Sequence, residues 1–160
     1  MTILGALAGG AAGTLVLTTA LRGASELRLT RIDIPFLLGT ALTEDRVRAK
    51  ALGYMLHFLF GLVFAVGYWA IFEVIGKSGW WLGALLGAFH GLFAASVLVN
   101  ILLPLVHPRM ANPLTAADST PLLEAPGFLM TNYGRRTPVL TLGAHVAYGA
   151  IVGGFHSLSA

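Results

Sequence analysis

Apolar residues run through this chain in four long stretches, interrupted mainly by glycine, alanine and a few histidines. A helix needs about 20 residues to cross a hydrocarbon core of about 30 Å. The four stretches therefore predict spanning helices near Ile3–Leu21, Leu52–Ile75, Trp80–Val106 and Val139–Leu158. Between the second and third, Gly76-Lys77-Ser78-Gly79 reads as a tight turn, with Trp69, Trp80 and Trp81 at the depth of an aromatic belt. Glu73, about one turn inside that end, is expected to reach the interface or Lys77.

The pattern is written twice. Gly5-Ala6-Leu7-Ala8-Gly9 overlays Gly83-Ala84-Leu85-Leu86-Gly87 at an offset of 78 residues. His57-Phe58-Leu59-Phe60-Gly61 overlays His145-Val146-Ala147-Tyr148-Gly149 at an offset of 88. The predicted architecture is an all-α membrane protein of four transmembrane helices, built as two tandem parallel two-helix repeats (residues 1–79 and 80–160). The connections inside each repeat share an acid-Pro motif, Asp33-Ile34-Pro35 and Glu124-Ala125-Pro126. An acid ahead of proline suits a helix start, so each is expected to carry a short amphipathic helix lying on or in the inner leaflet. Thr43-Glu44-Asp45 and Thr137-Pro138 read as the starts of the second and fourth spans. An insertion near residues 108–123 separates the two repeats in register and is expected to be the most irregular part.

Composition agrees with a bilayer setting. Apolar residues make up 56% and charged residues 11%, with mean hydropathy +0.79, whereas soluble domains carry about 25% charged residues. Nine of the ten basic residues lie in the two connections inside the repeats, and Lys77 alone lies in the other. Positive charge marks the cytoplasmic side, which predicts both termini outside in a bacterial inner membrane. The first positive charge, Arg22, follows the first apolar run, so a retained helix is expected there and not a cleaved signal. The absence of cysteine excludes disulfides and thiolate chemistry. No aromatic-basic pattern points to nucleic acid.

Gly5, Gly9 and Gly13 make one flat helix face, and Gly83, Gly87 and Gly91 make another. Small residues let membrane helices approach closely, so these two faces are expected to meet near the pseudo-axis, with a separate partner for each as the alternative. Gly61 and Gly149, one turn after their histidines, suit the same use. A homo-oligomer or other membrane subunits are expected partners beyond the lipid bilayer.

Histidine supplies the candidate chemistry. His57 and His145 are repeat-equivalent and fall about 10 Å inside the cytoplasmic boundary at 1.5 Å per residue; Asn100, seven residues before His107, falls at the same depth. Polar groups there normally face the bundle interior. The expected site is a polar layer of His57, His145 and Asn100, with His107, Asp33 and Glu124 below it and His90 and His156 further outward. Three readings of that layer stand open: helix-locking hydrogen bonds, a haem or metal held by His57 and His145, or a pathway for a proton, small solute or metal ion. No catalytic motif is visible, so the leading expectation is a non-enzymatic helix bundle.

Leu37-Leu38-Gly39-Thr40, Thr43-Glu44-Asp45-Arg46, Trp80-Trp81-Leu82-Gly83, His107-Pro108-Arg109-Met110, Pro126-Gly127-Phe128, Asn132-Tyr133-Gly134 and the two histidine segments resemble small bacterial four-span membrane proteins of unknown function. That resemblance implies a membrane location and the four-helix fold, and no activity or site residue.

Overall fold

The structure, a computed structural model, describes residues 2–112 and 123–159. It is helical throughout, and among the described residues the only extended pairing is an isolated bridge between Met110 and Leu123. The elements in order are α1 (Ile3–Glu26), α2 (Ile34–Thr40), α3 (Arg46–Ile75), α4 (Trp80–Phe93), a π-helical segment (Ala94–Leu102), α5 (Leu103–Val106), a 3-10 turn (Phe128–Tyr133) and α6 (Thr137–Leu158). Helix α4, the π segment and α5 form one continuous rod, Trp80–Val106. That rod, α1, α3 and α6 are each long and apolar enough to cross a membrane.

The helices outrun the apolar stretches at the arginine-rich end. Helix α1 continues to Glu26, α3 begins at Arg46, and α6 at Thr137. Hydropathy ends at the first charge, whereas helical hydrogen bonding ends at a cap. The Arg22 guanidinium bonds the Glu26 carboxylate one turn on at 2.8 Å, which favours helix continuation. Asp45 accepts from the Arg48 N–H at 2.8 Å and caps α3. Thr137 is the first helical residue, and its hydroxyl bonds that of Thr30 at 2.7 Å, tying the two halves together. At the other end Gly76 closes α3 in the left-handed region (φ +66), as a turn of this tightness requires.

The acid-Pro motifs diverge. Asp33 accepts from the Phe36 N–H at 3.0 Å and starts α2 as expected. It also lies 3.5 Å from the Arg22 guanidinium. Helix α2 packs against α3 with Gly39 on the Ala49 main chain and Gly53 on the Pro35 main chain. Loss of one N-cap costs about 1 kcal/mol. Asp33→Ala should accordingly speed hydrogen exchange across α2 about fivefold while leaving α6 unchanged.

Glu124, by contrast, caps no helix among the described residues. Its carboxylate sits 3.3 Å from Arg31, and its main-chain oxygen accepts from the Tyr133 hydroxyl at 2.5 Å. Gly127 adopts φ +73, and Leu129 and Met130 also lie in the left-handed region. An α-helix cannot pass through such residues, so the second connection makes a 3-10 turn. Residues 113–122, most of the expected insertion, lie outside the described residues.

Helix α6 is the hub. It packs on α4 and on α1, α1 also packs on α3, and α3 only brushes α6. The two glycine faces do not meet, contrary to the expectation from sequence. Gly9 and Gly13 lie against Val152 and Tyr148 of α6; Gly83 and Gly87 lie against Gly149 and His145 of the same helix. One helix serves both: Gly149 and Gly153 of α6 meet the glycines of α4, and its Tyr148–Val152 edge fills the glycine face of α1. As a consequence α3 and α4, joined by a tight turn, have no close backbone seam and meet through large side chains, Phe64 and Tyr68 of α3 on His90 of α4.

Candidate functional site

The gap between α3 and the rod is a cavity of about 440 Å³, within the range of small-molecule sites. Its walls are aliphatic and aromatic side chains from every spanning helix, and its floor includes Ile34 and Leu38 of α2 and Met130 of the 3-10 turn. Among the described residues no Asp, Glu, Lys or Arg lines it. Phe60 and Val63 on α3 face Leu102 and Val106 on the rod across its rim, and all four remain exposed. The cavity therefore opens sideways, between two helices that are each long and apolar enough to cross a membrane. The π segment forms one wall through Ala94, Leu98 and Val99. Pro104, which has no N–H to return to the preceding turn, stands just beyond it, and π turns recur at functional sites.

Three of the five histidines, His57, His90 and His145, line the cavity. Each is recorded bonding through Nδ1. His145 Nδ1 lies 2.8 Å from the Thr141 carbonyl oxygen, His57 Nδ1 3.1 Å from the Thr18 hydroxyl, and His90 Nδ1 3.4 Å from the Tyr68 hydroxyl. The His90 ring stacks on Phe64 at 3.9 Å between centroids and meets His145 edge-to-face at 4.8 Å. Tyr148 closes the group, 5.8 Å from His90, and its hydroxyl donates to the Gly61 carbonyl at 2.5 Å. Gly61 is needed there because a side chain would strike Thr14.

The expected layer is thus rearranged. His57 and His145 do line one site, and the third polar partner is His90, whose neighbours the sequence did not reveal. Asn100 stands apart: among the described residues its amide reaches the Ser96 carbonyl of its own helix, at 3.4 Å, and it does not line the cavity. A change from 3.6 residues per turn to the π spacing moves side chains off the face that α-helical arithmetic assigns. His156 is fully buried three turns further along α6, against α3 and outside the cavity lining. Its ring lies 5.0 Å from Phe72 and its Nε2 3.9 Å from the Glu73 carboxylate, so Glu73 faces a histidine and not Lys77. Asp33 and Glu124 serve the connections described above.

His107 locks the connection below the cavity. Its Nδ1 accepts from the Arg109 N–H at 3.1 Å, so Nε2 carries the proton and donates to the Leu37 carbonyl of α2 at 3.0 Å. Burial holds this imidazole below its ordinary value of 6.5. The unfolded ring therefore takes up a proton that the folded ring resists, and stability conferred above pH 6.5 is lost as pH falls through that value. Amides of α2 should exchange faster at pH 5 than at pH 7.5, after correction for intrinsic rates, and His107→Gln should flatten the difference. Burial also pushes the Tyr133 phenol up to about 12, keeping it a hydroxyl donor to Glu124.

Among the described residues no group of three or more His, Asp or Glu is arranged to hold a metal ion. What the site offers is hydrogen-bonding imidazole at one end of an apolar chamber. The class this defines is a small multi-pass helical membrane protein with a side-opening cavity. No family model, curated protein or solved structure matches the chain.

Proposed function

We propose that the protein is a non-enzymatic membrane protein that takes a small apolar molecule from the bilayer into the cavity between α3 and the rod. The observation that carries this reading is the chamber itself: about 440 Å³, apolar, free of charged side chains among the described residues, and bounded by helices that could have packed together. A gap of this size between neighbouring helices forfeits their contact, a cost that an occupant offsets. In this reading the glycine faces on α6 fix the walls, and the tandem repeat records a duplication after which the α3 side stayed open. The arginine-rich end faces the cytoplasm of a bacterial inner membrane, with both termini outside, as the charge asymmetry supports. The exposed apolar face of α3 serves lipid or a further subunit.

The test uses full-length protein in lipid nanodiscs, with methionine methyl groups labelled for NMR and decylbenzene as probe. Met130, buried and at the cavity floor, should show a saturable shift, whereas exposed Met55 should show only the gradual drift of a changing bilayer. Identical, non-saturating drift at both methyls would reject the reading.

A further inference from the structure

We propose that the occupant is a membrane-soluble hydroquinone, a flat ring bearing hydroxyls and an apolar tail, with one hydroxyl donating to Nε2 of His145. This rests on the reading above and assigns its ligand. The first reason is the fixed tautomer of His145. The Thr141 carbonyl can only accept, so the 2.8 Å contact puts the proton on Nδ1. Nε2 of the neutral ring is then a lone-pair acceptor. Neither Nε2 of His145 nor that of His57 or His90 enters any of the bonds that anchor these rings. An acceptor at the end of an apolar chamber calls for a donor on the guest.

The second reason is charge. A guest with a phosphate, carboxylate or ammonium group would find no counter-charge, because among the described residues the lining holds no Asp, Glu, Lys or Arg. The headgroup is therefore neutral, which excludes phospholipids and fatty acids and leaves hydroxyl compounds. The third is shape. The polar end is walled by Phe64, His90, His145 and Tyr148, whose rings contact one another at 3.9 to 5.8 Å. Such faces and edges suit a flat ring. His57 on α3, anchored through Thr18, offers a second Nε2 for the second hydroxyl. The tail leaves past Phe60, Val63 and Leu102 at the open rim.

The same Met130 titration, in nanodiscs under a mild reductant, compares decylhydroquinone with its dimethyl ether and with decylbenzene. The ether keeps the ring, tail and oxygen atoms and lacks the donors. Decylhydroquinone should bind at least about tenfold more tightly than either, one hydrogen bond to a buried acceptor. His145→Phe should bring it down to the affinity of decylbenzene and leave decylbenzene itself unchanged. Should that variant fail to fold, the comparison of the three probes on the native chain decides alone. Equal affinities for hydroquinone and ether would overturn the assignment while leaving the cavity reading intact. No saturable shift with any probe would overturn both.

Discussion

Gly149→Leu should abolish the folded bundle, while Gly143→Leu, six residues earlier on α6, should leave it intact. A side chain at Gly149 meets the Gly83 main-chain oxygen and the Gly87 main-chain nitrogen (2.9 Å). Neither is the movable tip of a side chain, so α4 and α6 must separate along their whole seam. Overpacking a well-fitted interior costs about 1–3 kcal/mol. Here the displaced atoms are backbone and the seam is the most extensive in the molecule, so the cost for leucine should reach about 3 kcal/mol or more. Gly149→Ala should cost about 2 kcal/mol on the same grounds. Gly143 has nothing within 4 Å, and leucine there should change stability by less than about 0.5 kcal/mol. Thermal unfolding in mild detergent, followed by helical circular dichroism, separates the two. Equal effects would mean that α4 and α6 are not held by this contact.

The second large effect is at the cavity. Leu98→Trp places an indole on the π-segment wall and should fill the chamber. Binding of decylbenzene, read at the Met130 methyl, should weaken by about a hundredfold, roughly 2.7 kcal/mol. Stability should hold or rise, because the new ring replaces empty space with contacts. Leu105→Trp, on the exposed face of α5 outside the lining, is the matched control and should bind as the native chain does. A loss shared by both variants would indicate general disruption of the rod.

Much of this fold was legible in the residues. Chain length per span, the Gly76–Gly79 turn and the Asp33 and Asp45 caps follow from local rules that act within a few residues. The pairing of faces was not legible. Glycines at Gly5, Gly9, Gly13 and Gly83, Gly87, Gly91 say that something approaches closely, and they do not say what; both found α6, one receiving its large side chains and the other its glycines. Gly39 and Gly53, which seat α2 on α3, were hidden for the same reason. Their partners are main-chain atoms, which leave no mark in sequence. The site was half legible. Repeat equivalence marked His57 and His145 as related, and both line the cavity. Asn100 was misplaced because its register assumed regular α-helical turns through Ala94–Leu102. His90 carried no motif, and its role depends on Phe64, Tyr68 and His145 converging from two other helices.

The side opening is the feature on which everything else stands, and carbene labelling from the lipid phase tests it directly. Adamantyl diazirine, dissolved in the bilayer and photolysed, marks whatever it touches. Met130 and Leu17 are only 2% and 4% exposed yet line the cavity, whereas Ala6 and Val152 are fully buried against neighbouring helices and do not. Mass spectrometry should find Met130 and Leu17 labelled alongside rim residue Val63, with decylbenzene protecting the two interior sites, and Ala6 and Val152 unmarked. Label confined to outward side chains such as Val74 and Val139, with none on Met130 or Leu17, would show that the space between α3 and the rod is closed to the membrane.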